Sequence, residues 1–272
     1  MDFRRIEMIF IAIFIALDIY LFISLKDNQA VSSTAITSGS QTSQILKDLK
    51  DDQITVKPLS NAKEDGYYLA SRQKDQTKLA TSSQQLTNQV VSFDKTQKTL
   101  ISELDKPLTY RKNHALLAVK AFMKSNNNVV LADQYRYSPE LSSDQQVVFV
   151  QKVPGGVMMD EHGQLVFLIE DGQINQYTQT YANKIQILRE KEMTKVSAKE
   201  AVIDLYTDNE IPNNSKVSWV KLGYSALLDA NSSTVYVPVW QVAIENKNSK
   251  SVVVKRINAF TGALMKNRSD VQ

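Results

Sequence analysis

The sequence contains no cysteine, which excludes a disulfide scaffold, a cysteine nucleophile, a thiolate zinc site and an iron–sulfur cluster. Histidine occurs only at His114 and His162, leaving almost no material for a multi-histidine metal site or a Ser–His–Asp arrangement. No HExxH, no GxSxG and no SxxK with supporting partners is present. Serine is abundant, but without a base it makes no case for a nucleophile. Pro154-Gly155-Gly156 is too short and too poorly placed for a phosphate loop. A strong excess of one charge is missing as well. Lysine and arginine number 32 against 29 acidic residues, a net charge of +3, unlike the balance of a dedicated nucleic-acid binder. These absences point away from an enzyme, and no catalytic residue, metal ligand or cofactor is expected. What remains is a chain of 272 residues, 43% hydrophobic and 22% charged. That is enough for one large domain or two small ones with real cores, and it is not the composition of a disordered chain.

The longest apolar run comes first. Ile6 to Leu25 reads IEMIFIAIFIALDIYLFISL, interrupted only by Glu7 and Asp18. Twenty helical residues rise about 30 Å, the thickness of the hydrocarbon core. The run is longer than a usual signal-peptide core, and Asn28 stands where an A-x-A cleavage site wants a small residue. An uncleaved, single-pass anchor is therefore expected over residues 6–25. Arg4 and Arg5 precede it, whereas Lys26 is followed at once by Asp27, so the positive-inside rule puts the amino terminus in the cytoplasm and the rest outside the cell. Residues 1–5 would then form the whole cytoplasmic tail, too short to fold, and any signal must pass sideways between helices.

Asp18 sharpens that expectation. It falls about 4 Å outward of the midpoint of the run. A carboxylate there costs about 2.5–3.5 kcal/mol, which favours a polar contact with another membrane helix over a lone, snorkelling acid. Ile11, Phe14 and Leu21 share its side, while Ala12 and Ala16 make a small-xxx-small patch roughly opposite.

Residues 26–50 are dominated by Ser, Thr, Gln and Asn at first and read as a flexible spacer, with a short helix starting near Ser43. Beyond them two α+β units are expected, over residues 51–190 and 191–272, each a helix followed by an antiparallel meander. In the first, short strands at Gly66–Ala70 and Val90–Phe93 precede a helix over His114–Ser125 with apolar residues at Ala115, Ala118, Val119 and Phe122. Strands follow at Val129–Tyr137, Gln146–Val153, Gln164–Ile169 and Gln173–Tyr181, parted by Gly- and Pro-containing turns. In the second, Ser197-Ala198-Lys199-Glu200 is a capping box that opens a helix. Strands then span Val217–Leu228, Val235–Glu245 and Ser251–Ala259. Asp160-Glu161-His162 groups three ligating residue types, but neighbours on an extended chain point apart, and a hairpin tip is expected there instead of a metal. Asp51-Asp52 reads as a solvated pair and His114 as a helix-start residue. Tyr224, Tyr236, Trp240 and Phe260 read as sheet packing, with an exposed aromatic groove as the alternative.

Several stretches resemble the YycI family of Gram-positive bacteria. They are the opening Met1-Asp2-Phe3-Arg4-Arg5, the Leu17-Asp18-Ile19-Tyr20-Leu21 run, Gln151 leading to Gly155-Gly156, and Gln176-Tyr177-Thr178-Gln179-Thr180-Tyr181. The last unit, ending Asn258-Ala259-Phe260-Thr261-Gly262, resembles a PepSY-like module. The resemblance implies a single-pass accessory regulator of the WalK/WalR two-component system, which governs cell-wall metabolism. Its implied partners are the sensor histidine kinase WalK and the sister protein YycH, met through transmembrane and extracellular contacts. The effect on the kinase is inhibitory in some bacteria and activating in others. The rival expectation, from the PepSY-like unit, is a tethered inhibitor or chaperone of a secreted peptidase or wall hydrolase.

Overall fold

The computed structural model describes residues 13–15, 17–18, 38–72, 77–94, 98–111, 114–230 and 233–265. The chain divides into two units, Met1–Asp51 and Asp52–Gln272. In the first, residues 13–15 and 17–18 are helical, and α1 spans Ser38–Asp51. The helix expected near Ser43 thus begins earlier, with Gln44 Nε2 donating to Asp48 Oδ1 at 2.8 Å across one turn. The rest of the spacer lies outside the described residues.

The second unit is dominated by antiparallel strands with few helices. Its first sheet runs β4 (Gln89–Asp94), β5 (Thr99–Thr109), β10 (Gln173–Gln179), β9 (Gln164–Glu170), β7 (Gln146–Val153) and β6 (Tyr135–Tyr137), with β8 (Gly156–Val157) added to β7. Helix α3 (Ala115–Phe122), the counterpart of the expected 114–125 helix, follows the short α2 (Thr77–Ser82) and covers one face. Val119 of α3 joins Phe149, Leu165, Phe167 and Tyr177 in a core in which Phe122 meets Phe167 and Tyr177 edge to face. Residues 129–134 are not the strand their β-branched composition predicts. Val129 and Val130 are buried in a turn that ends in a 3₁₀ segment, Ala132–Gln134, and only Tyr135–Tyr137 pairs.

β5 has no counterpart in the expected strands because Pro107 and its charged neighbours disguise it. The ladder accommodates the proline by a register shift: Ile174 pairs with Leu108, but Gln176 pairs with Glu103. Pro107 falls in the skipped stretch, where its missing N–H costs no ladder bond.

The second sheet runs β1 (Thr55–Val56), β13 (Ser215–Ala230), β14 (Ser233–Asn246), β15 (Val252–Asn258) and β16 (Leu264–Met265). The long β13–β14 pair is in continuous register except for bulges at Ser218 and Leu227. Strands from both sides of residue 190 share this sheet. β3 (Leu69–Arg72) pairs with β14, β11 (Gln186–Ile187) pairs with β3, and β1 lies parallel to β13. Residues from the first half thus complete the C-terminal sheet; β2 (Asp65–Gly66) and β12 (Glu192–Met193) make a further small ladder. Helix α4 (Ala198–Thr207) begins at the capping box as its sequence requires. The Ser197 hydroxyl accepts from Glu200 N–H, and the Glu200 carboxylate accepts from Ser197 N–H.

β7 shows how the sheets join. Val147 and Phe149 point into the α3 core, while Val148 and Val150 pack with Val157, Met159 and Trp219. Both faces are buried, which explains why this strand reads as a continuous apolar run instead of alternating. The segment after β8 stitches the contact: Met159 N–H donates to the Tyr224 carbonyl at 3.0 Å.

Candidate functional site

Residues of both sheets line a cleft of about 560 Å³. One wall is β9 and β10 with the residue that follows it: Gln164 and Val166 alternate along β9 because a strand sends every second side chain to the same face, and Thr178 of β10 is joined by Thr180 just past its end. The other wall comes from β3, β13 and β14, with Ser71, Arg72, Asp229, Thr234 and Tyr236. Hydrogen bonds hold this wall. The Ser71 and Tyr236 hydroxyls lie 3.1 Å apart, and Thr234 donates to Asp229 Oδ1 at 2.6 Å. Burial, tempered by the Ser71 hydroxyl, pushes the Tyr236 phenol up to about 12, so it stays neutral and serves as a hydrogen-bonding group.

Glu161 and His162 of the turn Asp160–Gly163 complete the lining. The carboxylate of Asp160, almost fully buried, accepts from His162 N–H at 3.0 Å through Oδ1 and from Ala226 N–H at 2.6 Å through Oδ2. His162 Nδ1 lies 3.1 Å from the same Oδ1, and the ring meets Tyr236 edge to face. The expectation that Asp160, Glu161 and His162 point apart fails, since their ligating atoms lie within 4.8 Å of one another. The cause is local: Asp160 caps a 3₁₀ turn, which curls the chain where an extended one would splay it. Asp160 Oδ1 thus closes the turn on itself, and Oδ2 ties the turn to β13.

Gln151 and Gly155, in stretches that carry the family resemblance, have structural jobs beside the cleft. Gln151 bonds the backbone of Ala182 through both ends of its amide. Gly155 has φ +78°, and a Cβ there would meet the Tyr224 hydroxyl at 2.8 Å and the Tyr67 ring at 2.9 Å. The Gln176–Tyr181 stretch supplies Thr178, Thr180 and Tyr181 to the cleft.

The site residues expected from the sequence belong to the other unit. Phe14 and Asp18 are helical and exposed. Ile11, Ala12, Ala16 and Leu21 lie outside the described residues, as does most of the 6–25 run. Among the described residues no helix is long and apolar enough to cross a membrane. Of the remaining candidates, His114 stands exposed at the start of α3. Asp52 is not merely solvated: it accepts from the Tyr206 hydroxyl at 2.7 Å and from Asn213 Nδ2 at 3.3 Å. Tyr224, Tyr236, Trp240 and Phe260 are all buried. Sequence inspection missed the cleft itself; the alternating threonines of Thr178-Gln179-Thr180 were its one local sign.

Comparison with known proteins bears on the whole chain. No curated protein matches it. Among solved structures, an uncharacterized protein from Eubacterium rectale is similar at 12% identity, over 78% of this chain and 89% of that one, with a TM-score of 0.41. The C-terminal domain of YpeB from Bacillus megaterium is similar at 13% identity, over 85% and 96%, with a TM-score of 0.36. The model of the YycI protein family matches residues 32–260, most of the sequence, and the chain belongs to the YycI family.

Proposed function

We propose that this protein is a single-pass membrane accessory that modulates the sensor histidine kinase WalK together with a YycH-like sister protein, by binding and without catalysis. Family membership carries the proposal, since the YycI family has a regulatory role in the WalK/WalR two-component system. Support for the anchor comes from the first unit. Ile13, Phe14, Ile15 and Leu17 are helical, apolar and each more than half exposed, which suits a lipid environment. In this arrangement the amino terminus is cytoplasmic and Asp52–Gln272 is extracellular.

In this reading the protein acts by biasing a neighbour within the membrane. It binds one arrangement of the kinase more tightly than the other, a coupling of about 1–3 kcal/mol in typical cases. Asp18 offers the polar contact, because pairing it offsets a cost of about 2.5–3.5 kcal/mol for an acid in the bilayer. The test is Asp18→Leu in the full chain, with crosslinking to the kinase and transcription of cell-wall genes as readouts. Reduced crosslinking and altered transcription are expected. Unchanged values of both would overturn the helix-contact part.

A further inference from the structure

Regulation through the membrane leaves the cleft between the two sheets without a role. Each of its walls carries one charge of either sign. Lys98 and Glu161 stand on the side of the first sheet, and Arg72 and Asp229 on the side of the second. The Asp229 carboxylate already accepts from Thr234. Among the described residues, by contrast, neither Arg72 nor Glu161 forms an ion pair, and both are exposed at the rim. Thr178 also lines the cleft, while the Thr180 hydroxyl donates to the Glu161 carbonyl at 2.6 Å and accepts from Gln164 N–H at 2.9 Å. The volume, about 560 Å³, falls within the usual range of small-ligand sites, and a junction between layers is where such sites occur.

The charge pattern selects the ligand. A simple anion would meet Glu161 and Asp229 as well as the cations, and a simple cation would meet Arg72 and Lys98. A neutral sugar would leave Arg72 and Glu161 unmatched. A ligand with both charges, separated by polar groups, matches every wall. We propose that the cleft binds a short peptide with free termini, its carboxylate on Arg72, its ammonium on Glu161, and its amides against Thr178.

The experiment uses the full chain in detergent micelles, titrated by calorimetry and observed by saturation-transfer NMR. The probes are trialanine, trialanine blocked by N-acetylation and C-amidation, and glucose. Saturable binding of free trialanine is expected, weakened about tenfold or more by Arg72→Ala, by Glu161→Gln, and by blocking the termini. Absence of saturable binding, indifference to both substitutions, or equal binding of the blocked peptide or glucose would overturn the assignment. No kinase enters this measurement, so its outcome is separable from that of the regulatory proposal.

Discussion

The side chain of Gln151 and the backbone of Ala182 close a two-bond ring: Gln151 Nε2 donates to the Ala182 carbonyl at 2.9 Å, and Ala182 N–H donates to Gln151 Oε1 at 2.8 Å. Both residues are buried. The amide stands in for a missing strand, since β10 ends at Gln179 and the chain then turns toward β11 in the other sheet. It anchors that crossover to β7 beside the cleft.

Gln151→Leu keeps the approximate volume but orphans both backbone groups. Leaving buried donors and acceptors unpaired costs about 1–3 kcal/mol each, so a loss of about 2–6 kcal/mol is expected in urea unfolding followed by circular dichroism. A change under about 0.5 kcal/mol, the size of an ordinary surface substitution, would contradict the structural role.

Two glycines separate strain from crowding. Gly155 and Gly172 both have positive φ, +78° and +73°, but a Cβ at Gly172 meets nothing within 4 Å. Gly172→Ala should therefore cost only the left-handed backbone penalty, about 1–2 kcal/mol. Gly155→Ala adds displacement of Tyr224 and Tyr67 and should cost about 1–3 kcal/mol more. Equal thermal shifts in the two variants would refute the crowded contact.

Asp160→Asn retains one acceptor oxygen and turns an NH₂ toward the second N–H. Either the His162 or the Ala226 amide then loses its bond. Faster hydrogen exchange at one of these amides, with a stability loss of about 1–3 kcal/mol, is the expected outcome.

Acid should weaken the start of α4 through Glu200. Partial burial favours its neutral form, but the Lys63 ammonium and the Ser197 N–H outweigh this and hold the carboxyl below its ordinary 4.5. A depressed acid stabilises the fold at higher pH, and the contribution is lost as pH falls through the folded value. With both side chains partly exposed it amounts to at most about 1 kcal/mol. Asp204 works in the opposite sense, raised first by burial and then by Asp208 and Glu200, so its protonation favours the folded state as pH falls. Glu200→Gln keeps the capping box while removing the titration. Its urea midpoint should fall less steeply than the parent's between about pH 5 and 3. Parallel slopes would count against the pairing.

Much of this architecture can be read from the chain, and the exceptions have physical causes. Gln146–Val153 is a strand with the bounds its composition gives, and Ser197–Glu200 caps a helix because the signal is local. Local signals did not reveal that Leu69–Arg72 pairs with β14, since partner choice over such a distance depends on the whole sheet. Pro107 hid β5 because a broken ladder resembles a loop in one dimension. The cleft was least legible, since Arg72, Glu161, Thr178 and Tyr236 lie far apart in sequence and line one cavity only once both sheets are formed.

The central claim is that the N-terminal helix itself carries information. Its most direct test replaces residues 6–25 with an unrelated apolar helix of equal length and measures transcription from promoters controlled by WalR in cells expressing equal amounts of the two proteins. Loss of the regulatory effect, with the outer unit still folded and exposed at the cell surface, is the predicted result. Full regulation by the swapped chain would mean that the segment merely tethers, as an anchored peptidase inhibitor or chaperone requires, and would contradict the account.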